Sequence, residues 1–218
     1  VSHRFCIGHT YASRRTYRNI IESIRALKEK YRNQISIKIG LEYEYFPEYI
    51  HWLKEIIKST GWIISSLETT ITILTKSFPT SGIIPLIGYA RPYEESTIEG
   101  MESGLFAYLA HPDLLYVPTL NLTNIVSVSA AISVGQQPIA HPLEYNIGYV
   151  AINEARGITT YPCPQFWHIA ANEGCTAIIG LDAHNNLDLE NPTYYDRACQ
   201  ELNALKMPVI DTIPFLKY

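Results

Sequence analysis

Strand-like and helix-like segments alternate along this chain, and that alternation constrains its fold more than any other feature. Residues 18–31 carry Ile20, Ile21, Ile24 and Leu27 at helical spacing. Residues 35–44 instead alternate Ile35, Ile37, Ile39 and Leu41 with Ser36, Lys38, Gly40 and Glu42, the period of a strand. Residues 48–58 return to helical spacing with Ile50, Trp52, Leu53, Ile56 and Ile57, and 62–66 read as a short apolar strand. Residues 76–94, rich in Gly, Pro and Ser, read as a long loop. A helix is then expected over 95–104, a strand over 107–110, an apolar helix or strand over 125–134, and a strand over 142–147. The chain closes with a helix over 166–173, a strand over 177–181, a helix over 194–205 and a last strand over 208–210. Such a succession predicts an α/β fold with a parallel sheet. Short strands that end in His, Asp or Glu favour a barrel, whose chemistry sits where the strands finish.

With 218 residues, 47% of them hydrophobic, the chain can bury one sizeable core, and no repeat or linker divides it. A net charge of −4 argues against nucleic acid as a partner, and no apolar run is long enough to span a membrane. The first residues, Val1-Ser2-His3-Arg4, lack both an apolar signal-peptide core and an initiator Met, so the native start is expected to lie elsewhere. Cys6, Cys163, Cys175 and Cys199 form no paired motif; they read as scattered reduced thiols and point to the cytoplasm.

Four places carry candidate chemistry. In Ile178-Ile179-Gly180-Leu181-Asp182-Ala183-His184 a strand ends in Asp-x-His, and residues two apart share a face, so Asp182 and His184 aim together. In Gly40-Leu41-Glu42 a Gly again sits two residues before an acid. His111 ends an apolar strand and is followed by Pro112, which stops a ladder. His3 and His9 lie six apart at the start. Each alone also fits an ordinary turn or surface role. Together they give the imidazole and carboxylate mix that binds zinc, iron or manganese in multi-metal hydrolases.

The segments GLEYEY at 40–45, IEGMESGLFAYLAHPDL at 98–114, PLEYNI at 142–147, YPCPQFWHIAANEG at 161–174 and IIGLDAHNN at 178–186 resemble the polymerase and histidinol phosphatase (PHP) family, above all its histidinol-phosphatase branch. That resemblance implies one domain over residues 1–218, a distorted (β/α)7 TIM-like barrel with up to three divalent ions (Zn, Mn or Fe). It assigns His3, His9, Glu42, His111, Asp182 and His184 as metal ligands, with Glu68 standing where the family has a His. Asp182, His184 and Glu42 are the implied catalytic set, and Arg156, placed in a loop after the 142–147 strand, the implied phosphate ligand. The implied reaction is hydrolysis of a small phosphate monoester, L-histidinol phosphate first, by a hydroxide that the metals generate.

The chain also departs from the family. Val1 occupies the position of the first His, and the Thr-Asp-His strand expected after His9 is absent. Native segments are therefore expected to be missing near residues 10–17 and 67–90. Two other readings follow: a PHP-like scaffold or regulator with a depleted metal centre, and a barrel glycosidase using Glu42 and Glu144 as acid and base.

Overall fold

The computed structural model describes residues 5–7, 10–12, 14–60, 64–68, 90–113, 142–157, 162–183, 189 and 192–213. The expected 125–134 segment lies outside these residues, as do His3, His9 and His184. β1 (Phe5–Ile7) and β2 (Thr10–Ala12) form an antiparallel hairpin that the periodicity did not signal, because three-residue strands carry too few alternations. The 10–17 region thus holds β2 and the first turn of α1 (Arg14–Lys30). α1 starts four residues earlier than its apolar spacing indicates. It ends on Lys28 and Lys30, whose charges suit the negative end of a helix.

β3 (Gly40–Glu44) is shorter than expected. Its pairing begins with Gly40 opposite Ile64, the first residue of β4 (Ile64–Glu68), and Ile35 is left 59% exposed. Alternation marked a run able to pair, but the partner strand set where pairing starts. Between them a short 3-10 turn (Pro47–Tyr49) leads into α2 (Ile50–Thr60), which buries Leu53 and Ile57, four residues apart on one face.

α3 (Ala90–Glu102) begins inside the stretch read as loop. Pro92 suggested a loop, yet it falls in the first helical turn, where its missing N–H costs no hydrogen bond. β5 (Tyr108–Ala110), β6 (Leu143–Asn146) and β7 (Ala177–Gly180) fall where expected. α4 (Gly148–Arg156) was not expected, since it opens on Gly and Tyr-Val rather than a capping residue. It stops at Gly157, whose φ of 61° is the left-handed conformation that terminates helices. α5 (Pro164–Asn172) has Pro at its first position, and α6 (Thr193–Ala204) follows β7.

β3 to β7 form one parallel sheet in the order β3-β4-β5-β6-β7. The expected last strand is a single bridge, Ala177 to Val209, beside β7. Strand order therefore follows chain order without a reversal, and every described strand of the sheet finishes at the same edge. The core packs Leu109, Leu143, Phe106, Phe166, Trp167 and Leu202 between the sheet and the helices, all essentially without solvent contact. The expected α/β class with a parallel sheet is observed; closure into a barrel is not seen among the described residues. No described helix is long and apolar enough to cross a membrane.

Candidate functional site

Three neighbouring strands deliver side chains to their shared C-terminal edge, and Glu42 reaches them from β3. His111 follows β5 directly and is 7% exposed. Its φ of 28° is left-handed, an unfavourable state for a side chain with a Cβ. Its contacts include a pair with neighbouring carboxyls. Its backbone N–H donates to Glu144 Oε2 at 2.9 Å, and its ring Nε2 lies 3.0 Å from Glu42 Oε1.

Glu144 and Asn146 occupy alternate positions on β6 and so share one face. Both are buried. Tyr145, between them, points the other way: its ring packs at a tilt against Trp167 and its hydroxyl donates to Glu201 on α6. The Glu144 carboxyl lies over Gly180 of β7. A Cβ at Gly180 would come within 1.8 Å of Glu144 Oε1, so the glycine makes the space this carboxyl fills.

Asp182, two residues past β7 and half-buried, also takes a left-handed φ, 46°. Its Oδ2 accepts from Asn146 Nδ2 at 3.0 Å. The Asn146 amide is fixed in turn, since its Oδ1 accepts from the backbone N–H of Gly148 at 3.0 Å. Gly148 opens α4 against the Asp182 loop: a Cβ there would stand 2.9 Å from Leu181 O. The positive N-terminal end of α4 thus borders the cluster.

Electrostatics mark Glu144 as the centre of the group. Its carboxyl is pushed up to about 7, first by burial and further by the charges of Glu42 and Asp182; the His111 N–H and the His111 ring oppose the rise. Three carboxylates and an imidazole therefore share one small region. In kind, this donor set suits a divalent cation of the zinc, manganese or iron type. Among the described residues, however, no three such side chains surround one point closely enough to hold an ion.

Of the residues singled out in the sequence, Glu42, His111 and Asp182 are brought together with Glu144. Glu68 ends β4, paired in register with Ala110, the residue before His111. Arg156 lies in the last turn of α4, not in a loop, and is exposed. It is eight residues from the helix end that borders the cluster, about 12 Å along the axis. The sequence reading raised Glu144 only as one half of a glycosidase pair, and it passed over Asn146. The signal for both was present: two polar residues two apart on an otherwise apolar strand, with Gly180 on the adjacent strand.

No protein-family model and no curated protein matches the chain. Among solved structures, a crystal structure of histidinol phosphate phosphatase from Lactococcus lactis subsp. lactis, complexed with zinc, L-histidinol and phosphate, aligns with a TM-score of 0.65 at 14% identity, covering 98% of this chain and 83% of that one. At that identity the likeness is one of fold alone: this chain folds like that phosphatase.

Proposed function

We propose that this protein is a metal-dependent phosphatase acting on a small phosphate monoester, with L-histidinol phosphate as its first candidate substrate. The observation that carries the reading is the convergence of Glu42, His111, Glu144 and Asp182 at the finishing edge of a parallel sheet, on a fold shared with a zinc-complexed histidinol phosphate phosphatase. The same reading closes the sheet into a seven-stranded barrel; its support is a strand order without reversal, as a barrel requires.

In this proposal Glu42, His111 and Asp182 hold divalent ions together with His3, His9, Glu68 and His184. When bound, such ions neutralise phosphate charge and make a water acidic enough to ionise near neutral pH. The chain's own residues supply positioning. Asn146, clamped by the Gly148 N–H, fixes the direction of the Asp182 carboxylate. Glu144 fixes the backbone of His111, and Glu42 fixes its ring. The N-terminal end of α4 favours an anion on that side of the cluster. Arg156, implied by the resemblance as the phosphate ligand, stands about 12 Å along α4 from that side, so the helix end and not this guanidinium is the anion site of the proposal.

The test is hydrolysis of p-nitrophenyl phosphate and of L-histidinol phosphate with zinc, manganese or iron added, and again after chelation. Activity is expected to require the ion and to be abolished by Asp182→Ala in a protein that remains folded. Turnover that survives chelation refutes the mechanism; chelator-resistant hydrolysis of a p-nitrophenyl glycoside in place of the phosphate esters would favour the glycosidase reading. Binding of fewer than about one tight ion per chain, where a structural site would bind strongly, supports the scaffold reading instead.

A further inference from the structure

Asp113 stands two residues beyond His111 and takes no direct part in the cluster. Its side chain is 2% exposed. One oxygen, Oδ2, accepts two hydrogen bonds from the start of α5: the backbone N–H of Cys163 at 2.5 Å and the indole Nε1–H of Trp167 at 3.0 Å. The other, Oδ1, is buried without a hydrogen-bond partner among the described residues. Burying a carboxyl is unfavourable unless hydrogen bonds compensate, and these bonds tie the turn to the start of α5. The chain between the two residues explains what that tie achieves. Pro112 has a fixed φ, so a restraint on Asp113 passes to His111 through one stiff residue. His111 itself holds a left-handed φ of 28°, and such states persist only where the surroundings over-determine them. Glu42 grips its ring and Glu144 its N–H; the bonds of Asp113 act on the far side of the turn.

We infer that Asp113 is a positioning residue for His111: its bonds to Cys163 and Trp167 anchor the turn that aims the imidazole at Glu42 and the N–H at Glu144. Trp167 is fully buried among the core residues and Cys163 precedes a proline-started helix, so the anchor point is rigid. The geometric claim stands without a metal. Its consequence for metal affinity rests on the proposed function.

The experiment has two arms on the full chain. In the first, the His111 ring resonances of metal-free, 15N-histidine-labelled protein are followed by NMR, assigned by their loss in His111→Ala. Asp113→Ala is expected to shift them strongly, and Asp113→Asn, which keeps an oxygen acceptor for both donors, to leave them near wild type. In the second arm zinc affinity is measured by titration. Asp113→Ala is expected to weaken it by about tenfold or more, the usual cost of losing a group that orients a ligand. That loss should vanish when His111→Ala is already present. Trp167→Phe removes only the indole donor; it is expected to shift the ring in the same direction by less, and it serves if Asp113→Ala does not fold. The inference is overturned if folded Asp113→Ala or Trp167→Phe leaves the His111 ring unchanged, or if the zinc loss persists in full without His111. A wild-type protein that binds no zinc sinks the proposed function, and the ring arm then decides the positioning claim by itself.

Discussion

Replacing Glu144 by Gln should change how the metal-free fold responds to pH. The Glu144 carboxyl lies buried against Gly180, with Glu42 and Asp182 charges nearby, and is pushed from an ordinary 4.5 up to about 7. The folded chain therefore holds this proton more tightly than the unfolded chain does. Above about 4.5 the unfolded carboxyl ionises freely while the folded one resists, so stability falls as pH rises, and the loss is complete once pH passes about 7. At about 1.4 kcal/mol for each factor of ten, ionising Glu144 in place costs the fold about 3 kcal/mol. Gln keeps an oxygen to accept the His111 N–H but cannot ionise. Urea unfolding in chelator at pH 5 and at pH 8 gives the comparison. From pH 5 to pH 8 the wild type should lose on the order of 2–3 kcal/mol more than Glu144→Gln does. Parallel pH profiles would refute the claim that this carboxyl is buried among like charges. Added zinc should reverse the order at pH 8, because a cation favours the ionised acid.

Gly180→Ala is expected to expel the Glu144 carboxyl, since its new Cβ would overlap that side chain; metal-dependent turnover should fall at least about a hundredfold while circular dichroism is kept, and unchanged turnover would show that Glu144 is dispensable. Arg156→Ala is expected to leave both KM for the phosphate substrate and zinc affinity unchanged, because the residue stands about 12 Å along α4 from the cluster; a rise in KM of about tenfold would restore it as the phosphate ligand. An unchanged KM would limit Arg156 to complementing the last carbonyls of α4. Leu109→Ala, in the strand that delivers His111 and with no solvent exposure, should cost about 2–5 kcal/mol of stability in denaturant titration.

The parts of this protein that depend on near neighbours in the chain were legible in its sequence. Helical spacing found α2, α5 and α6, and apolar runs found β5, β6 and β7, because 3.6- and 2-residue periods are local properties. Alternation also picked out Asp182 and Glu42, each two residues after a Gly on the same side of its strand. Tertiary structure alone decided where β3 begins, because a strand starts where its partner does. It also decided that Glu144, not a second histidine, sits at the centre of the described cluster. The Glu144 carboxyl acquires its character from Gly180, 36 residues later in the chain, and from the charges of Glu42 and Asp182 on other strands. No local pattern encodes that arrangement: burial and charge proximity are set by which strands lie side by side, and parallel strands become neighbours only through long crossovers.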